Sequence, residues 1–112
     1  LAEFRAGKFK ESSAGFSNFV KAYPRSSLLS AAQYWWGNSQ FAARDFRSAI
    51  NTHRGLIAQF PDSNRVPDAM LSIGNSFAEL DDQREARRMW QDVVKLHPTS
   101  DAAARAKQRL AR

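Results

Sequence analysis

The chain has 112 residues, of which 43% are hydrophobic and 12% aromatic, and its formal net charge is +6 at pH 7. This length and apolar content suit one folded domain and argue against intrinsic disorder. Since there is no cysteine, a disulfide framework and a cysteine-based metal site are excluded, and no apolar run approaches the roughly 18 residues that span a bilayer.

The spacing of apolar residues along the chain is that of helices, and no stretch alternates long enough to predict a strand. Six helices are predicted, near residues 9–23, 28–42, 46–60, 65–80, 83–97 and 101–111. Residues 1–5 align with residues 38–42, the second half of a helix, when the sequence is shifted by 37. We therefore expect a longer parent protein with more helix upstream.

One short phrase, an aromatic residue or histidine followed by proline and small polar residues, occurs three times. Its prolines are Pro24, Pro61 and Pro98, so the period is 61 − 24 = 37 and 98 − 61 = 37. A constant period of this length indicates a repeat array. Because proline disfavours the α conformation of the preceding residue, each phrase ends one helix. The residues predicted to cap the next helix are Ser27, Asn64 and Asp101.

The same shift of 37 superposes small residues on small ones and large on large. Gly37 aligns with Gly74, and His53 aligns with Trp90. Each repeat is therefore predicted to form two antiparallel helices, and stacked hairpins of this kind form a solenoid. His53 is interpreted as a packing substitute for an aromatic residue, not as a metal ligand or an acid–base group.

No constellation of residues predicts catalysis. Asp81 and Asp82 lie in a turn between helices, where capping is the expected role, and Ser100 has no basic partner that would activate it. We predict that the chain is not an enzyme and uses no cofactor and no metal. The end of the chain carries Arg105, Lys107, Arg109 and Arg112 without an acid among them, but no nucleic-acid-binding motif accompanies this charge. A basic nucleic-acid-binding solenoid is therefore the weakest alternative, and no nucleic acid partner is predicted.

The residues resemble the tetratricopeptide repeat (TPR), whose pattern is W-x2-L-G-x2-Y, then A-x3-F, then P. The third unit matches through Met70-x2-Ile73-Gly74-x2-Phe77, Ala86-x3-Trp90 and Pro98, whereas the second has Gln33 and Gln40 at usually apolar positions. The resemblance implies an all-α, right-handed TPR solenoid of antiparallel helix hairpins, with about two and a half repeats. The predicted divisions of this single domain, 1–112, are a partial first repeat 1–24, repeats 25–61 and 62–98, and a C-terminal capping helix 99–112.

A narrower resemblance is carried by the segments YWWGNSQFAARDFRSAI and FPDSNRVPDAMLSIGNSFAEL and by the closing AAARAKQRL. They are similar to the C-terminal TPR domain of the Tol–Pal-associated cell division coordinator family, YbgF/CpoB. That resemblance implies a periplasmic protein-interaction module without membrane insertion, with TolA as partner, a peptidoglycan synthase as a second candidate, and self-association through an upstream segment. A TPR adaptor of the outer-membrane protein assembly lipoprotein type is the alternative.

By TPR position, the first helix of each repeat lines the concave face and provides the partner-binding surface. The predicted binding residues are Tyr34, Asn38, Phe41, Leu71, Asn75, Ala78, Glu79, Arg105, Gln108 and Arg112. The alternative for the two aromatic residues is that they only pack between hairpins. Asn38, Arg105 and Arg109 also match by type the set with which some TPR domains clamp a terminal carboxylate. Tyr34 and Ser72 do not match, so a full clamp is not predicted.

Overall fold

The computed structural model describes residues 28–112, which form five α-helices and no strand. In chain order the helices are α1 (Leu29–Ala42), α2 (Phe46–Gln59), α3 (Val66–Glu79), α4 (Gln83–Leu96) and α5 (Asp101–Leu110). The five predicted helices in this range are confirmed, each with ends within one residue of those predicted. The helix predicted near residues 9–23 and the partial first repeat lie outside the described residues.

The two turns inside the hairpins have the same construction. Arg44 and Asp81 adopt positive φ values of 66° and 63°, which reverse the chain direction in a single residue. The next residue in each turn, Asp45 or Asp82, then accepts a hydrogen bond from the backbone N–H three residues later, at 3.4 and 3.2 Å. Each aspartate therefore caps the second helix of its hairpin, and the capping role predicted for the Asp81–Asp82 turn is confirmed.

The linkers between hairpins end helices as the proline phrase predicts, since Phe60 and His97 are the C-terminal caps of α2 and α4. The predicted N-caps after them are wrong. Asn64 does not cap α3: the cap position is Arg65, which has no side-chain capping bond, and a hydroxyl two residues earlier accepts the Arg65 N–H at 3.1 Å. The third predicted cap, Ser27, lies outside the described residues.

The last helix is also capped one residue earlier than predicted. Ser100 has an extended backbone, and its Oγ accepts the N–H of Ala103 at 3.0 Å. Asp101 is the first residue inside α5, where its negative charge faces the positive end of the helix dipole. The prediction is wrong by one residue because an N-cap residue has non-helical backbone angles, and here the residue with those angles is Ser100.

The helices stack in order, α1 on α2, α2 on α3, α3 on α4 and α4 on α5. In addition, α1 contacts α3 and α3 contacts α5, whereas α2 and α4 make no comparable contact. The first helices of the hairpins are thus drawn together along one side. This side is the inner, concave surface of the all-α solenoid, and it is formed by α1, α3 and α5.

In each hairpin, a glycine of the first helix packs against a large ring of the second helix. A Cβ built at Gly37 would lie 2.6 Å from Cδ2 of His53, and one built at Gly74 would lie 2.6 Å from Cδ1 of Trp90. These distances leave no room for a side chain, so the glycines let the second helix of the hairpin approach. His53 and Trp90 therefore have equivalent positions in the two hairpins, which confirms the packing role predicted for His53.

The first hairpin buries a polar network where the TPR pattern has apolar residues. Gln33 is 5% exposed, and its Nε2 donates to the carbonyl of Thr52 at 3.0 Å. The hydroxyl of Thr52 also contacts the amide of Gln40, which can accept from the indole N–H of Trp36 at 3.2 Å. The two glutamines that depart from the pattern thus both bind Thr52, and they connect α1 to α2.

Candidate protein-interaction surface

A cleft of about 210 Å³ opens between α1 and α3 on the concave side. Its lining residues are Asn38, Phe41, Ala42, Ser72 and Asn75, and we call it the polar cleft. Three of the residues predicted for partner binding, Asn38, Phe41 and Asn75, are therefore brought together here. Ala42 and Ser72 were not predicted, because the sequence alone did not show how far the two helices are rotated towards each other.

The two asparagines of the polar cleft differ in how they are held. Oδ1 of Asn75 accepts the indole N–H of Trp90 at 3.2 Å, so its amide orientation is set by the core. Asn38 aligns with Asn75, but the ring at the equivalent place is His53, which is directed to the carbonyl of Tyr34. Asn38 consequently makes no side-chain hydrogen bond within residues 28–112, and its amide is available to a partner.

Tyr34 is half-buried and does not line the polar cleft. Its ring centroid lies 5.4 Å from that of Trp35 and 5.7 Å from that of His53, and the guanidinium of Arg65 lies 5.2 Å above it. Tyr34 thus packs between hairpins. Phe41 also packs, edge to face with Phe46 at 5.1 Å, but it contributes to the cleft wall as well.

The remaining predicted binding residues lie in different surroundings. Leu71 is only 6% exposed and belongs to the hydrophobic core, so it offers little surface to a partner. Glu79, Arg105 and Gln108 are exposed. Arg112 lines a second cleft with Ala78, and the whole set of residues around that cleft, which we call the arginine cleft, is Ala78, Gln83, Arg87, Trp90, Arg109 and Arg112. Partner binding by these residues stays a prediction.

His53 is fully buried, and burial lowers its pKa from 6.5 to about 4, although a hydrogen bond to the Tyr34 carbonyl opposes this effect. The ring is therefore neutral near pH 7. Because a carbonyl can only accept, Nε2 carries the proton and donates to Tyr34 O across 3.3 Å, which leaves Nδ1 without a partner. No group of three or more histidine, cysteine or acidic side chains in residues 28–112 could hold a metal ion.

The buried imidazole makes stability depend on pH. The folded state has the lower pKa, so the unfolded state binds more protons as the pH falls below 6.5. His53 therefore contributes its full stability above the unfolded pKa and loses it towards the folded pKa. We expect unfolding to require about 2 kcal/mol less at about pH 5 than at about pH 7 because of this group. Urea titrations at both pH values measure the difference.

The matched control is His53→Phe, which keeps a ring at a position that aligns with Phe16 and removes the titrating nitrogen. Acidic residues contribute to the pH dependence of both proteins, so the difference between parent and variant isolates the imidazole. An equal pH dependence in the two would contradict the assignment.

The polar cleft has the arrangement of a binding surface. It presents the amides of Asn38 and Asn75 and the hydroxyl of Ser72 beside the ring of Phe41. An all-α solenoid with this surface is a protein-interaction module. The tetratricopeptide repeat model matches residues 31–63 and 68–100, and 68 − 31 = 37 reproduces the period of the prolines. The chain belongs to the tetratricopeptide repeat family, whose domains are typically non-catalytic modules that bind other proteins.

The comparison with curated proteins gave no match. None of the helices in residues 28–112 has the length and apolar character that crossing a membrane requires.

Proposed function

We propose that this domain is a periplasmic adaptor that binds TolA and helps to coordinate outer-membrane constriction with peptidoglycan synthesis. The narrower sequence resemblance to the Tol–Pal-associated family supports the choice of partner and of compartment. The geometry supports the mode of binding. The observation that carries it is the polar cleft, in which Phe41 lies next to the amide of Asn38, and this amide has no hydrogen-bond partner among residues 28–112.

The chemistry of the polar cleft suits an extended segment of a partner protein. Amide groups can both donate to and accept from a peptide backbone, and an aromatic wall gives apolar area at low conformational cost. Aromatic anchors within such a cleft are typical binding hot spots, where truncation costs about 2 kcal/mol or more.

The test is a titration of the domain with the periplasmic part of TolA. We expect Phe41→Ala to weaken binding by about 2 kcal/mol, which is roughly 30-fold in Kd, and Asn38→Ala to weaken it by a smaller factor. The matched control for Asn38→Ala is Asn51→Ala, which replaces an exposed asparagine on α2, outside the polar cleft. Each variant must first melt cooperatively, because Phe41 also packs on Phe46.

Tyr34→Ala and Asn75→Ala are informative only after the same check, since one removes a packed ring and the other leaves the Trp90 N–H without its acceptor. If TolA binds the Asn38 and Phe41 variants as it binds the parent, the polar cleft is not the binding surface. If TolA does not bind the parent, an adaptor for an outer-membrane assembly complex becomes the better proposal, and capture from periplasmic extract would identify its partner.

A further inference from the structure

The arginine cleft lies one repeat beyond the polar cleft, where α4 joins α3 and α5 at the edge of the concave side. Adding the period to the residues of the polar cleft gives 41 + 37 = 78, 72 + 37 = 109 and 75 + 37 = 112, and these are lining residues of the arginine cleft. The neutral Ser72 and Asn75 are thereby replaced by Arg109 and Arg112. The two clefts thus share three positions in successive repeats, but the polar cleft is neutral and the arginine cleft is cationic.

The positive charge of the arginine cleft is not balanced by an acidic residue in its lining. Three arginines and no acidic residue line a volume of about 240 Å³. The ion pair found in residues 28–112 joins Arg88 to Glu85 at 3.7 Å, outside the cleft. Three neighbouring cations that lack a carboxylate repel one another, so an anion in the cleft would be stabilised by all three.

The hydrogen-bonding state of the cleft also indicates a missing acceptor. Nη2 of Arg87 donates to the carbonyl of Leu110 at 3.2 Å, which holds this guanidinium at the cleft wall. Nε of Arg109 is buried and has no hydrogen-bond partner in the described part of the chain. A buried donor without an acceptor is costly, and its bond to a ligand would recover part of that cost.

We propose that the arginine cleft binds side-chain carboxylates of an acidic segment of the partner protein. The planar guanidinium donates two parallel N–H bonds, and these match the two oxygens of a carboxylate. A segment that lies along the concave side would place apolar and amide groups at the polar cleft and acidic residues one repeat further on. The inference rests on the proposed role as an interaction module and adds the charge of the segment that is bound.

The test uses defined peptides, so that it does not depend on TolA. N-acetylated, C-amidated tetraglutamate carries only side-chain carboxylates, whereas N-acetylated tetraglutamine with a free C-terminus carries only a terminal one. Each is titrated into the whole chain at low salt, and the arginine Nε–Hε resonances are followed by NMR. We expect tetraglutamate to shift the Arg109 resonance saturably, because its Nε lacks an acceptor, and tetraglutamine to bind at least about tenfold more weakly.

Two neighbouring residues of α4 provide a matched pair of variants. Arg87→Gln and Arg88→Gln remove the same charge from adjacent positions, but only Arg87 lines the cleft, while the Arg88 side chain is 72% exposed. We expect Arg87→Gln to weaken tetraglutamate binding by about tenfold or more and Arg88→Gln by less than about twofold. Arg112→Gln is the second variant, because the Arg112 side chain makes no hydrogen bond to α5 within residues 28–112. It should also weaken binding, and it provides the test if Arg87→Gln fails to fold.

Equal weakening by Arg87→Gln and Arg88→Gln would overturn the inference, because it would indicate only diffuse attraction to a basic surface. The absence of saturable binding by tetraglutamate, or tighter binding of tetraglutamine, would overturn it as well. A short single-stranded oligonucleotide is the third probe, and if it binds more tightly than tetraglutamate in the same cleft, nucleic acid is the occupant. Failure of TolA binding with intact, Arg87-dependent tetraglutamate binding would reject the proposed partner and leave the cleft assignment standing.

Discussion

Replacing Trp90 with alanine is expected to lower the free energy of unfolding by about 3–5 kcal/mol. The indole is 5% exposed and belongs to the core between α3 and α4. It packs directly against Gly74, which has no side chain that could fill a cavity at this place. Urea denaturation of the chain and of Trp90→Ala, followed by circular dichroism, measures the effect.

Trp90→Phe is the matched control, because it keeps an aromatic ring but removes the N–H that donates to Asn75. We expect it to cost less than the alanine variant, since much of the apolar volume remains. A loss below about 1 kcal/mol for Trp90→Ala would contradict the central packing role of the indole.

Removing residues 101–112 is expected to destabilise the domain at least as strongly. The deletion takes away α5, whose Ala102, Ala103 and Ala106 are buried against the core. It also exposes the faces of α3 and α4 on which α5 packs. The end of a solenoid needs a helix with one polar face, since an uncovered repeat would leave apolar surface in water.

The measurement is the melting temperature, and each kcal/mol lost should lower it by about 4–8 °C for a domain of this size. A deletion of residues 111–112 alone is the control, because it leaves α5 intact. An unchanged melting temperature after removal of residues 101–112 would rule out the capping role of this helix.

Local features of the amino-acid sequence determined the helices of this protein. Apolar residues at helical spacing and prolines at a constant period placed the five described helices to within one residue. The alignment placed Gly37 with Gly74 and His53 with Trp90, but only the structure shows that each glycine packs against the ring. Periodicity succeeds here because each repeat must present the same packing surface to the next.

The N-cap residues of α3 and α5 were harder to predict from the sequence. Ser100 and Asp101 are both good capping residues, and only the backbone geometry shows that the serine is the one outside the helix. Asn64 is likewise a good capping residue at a position where the chain makes a turn before α3 begins. Local preference cannot choose between adjacent residues of similar chemistry when the linker conformation is set by the helices on either side.

The sequence by itself determined which residues belong to the concave helices, and the tertiary structure decided what each of them does there. Leu71 belongs to the core, and Tyr34 packs between hairpins. Within residues 28–112 the amide of Asn38 makes no hydrogen bond, whereas His53 is bonded to Tyr34. The arginine cleft needs Arg87 from α4 together with Arg109 from α5, which are 22 residues apart in the chain (109 − 87 = 22). Such a site depends on the rotation and approach of whole helices, which follow from the packing of the entire core and not from any single segment.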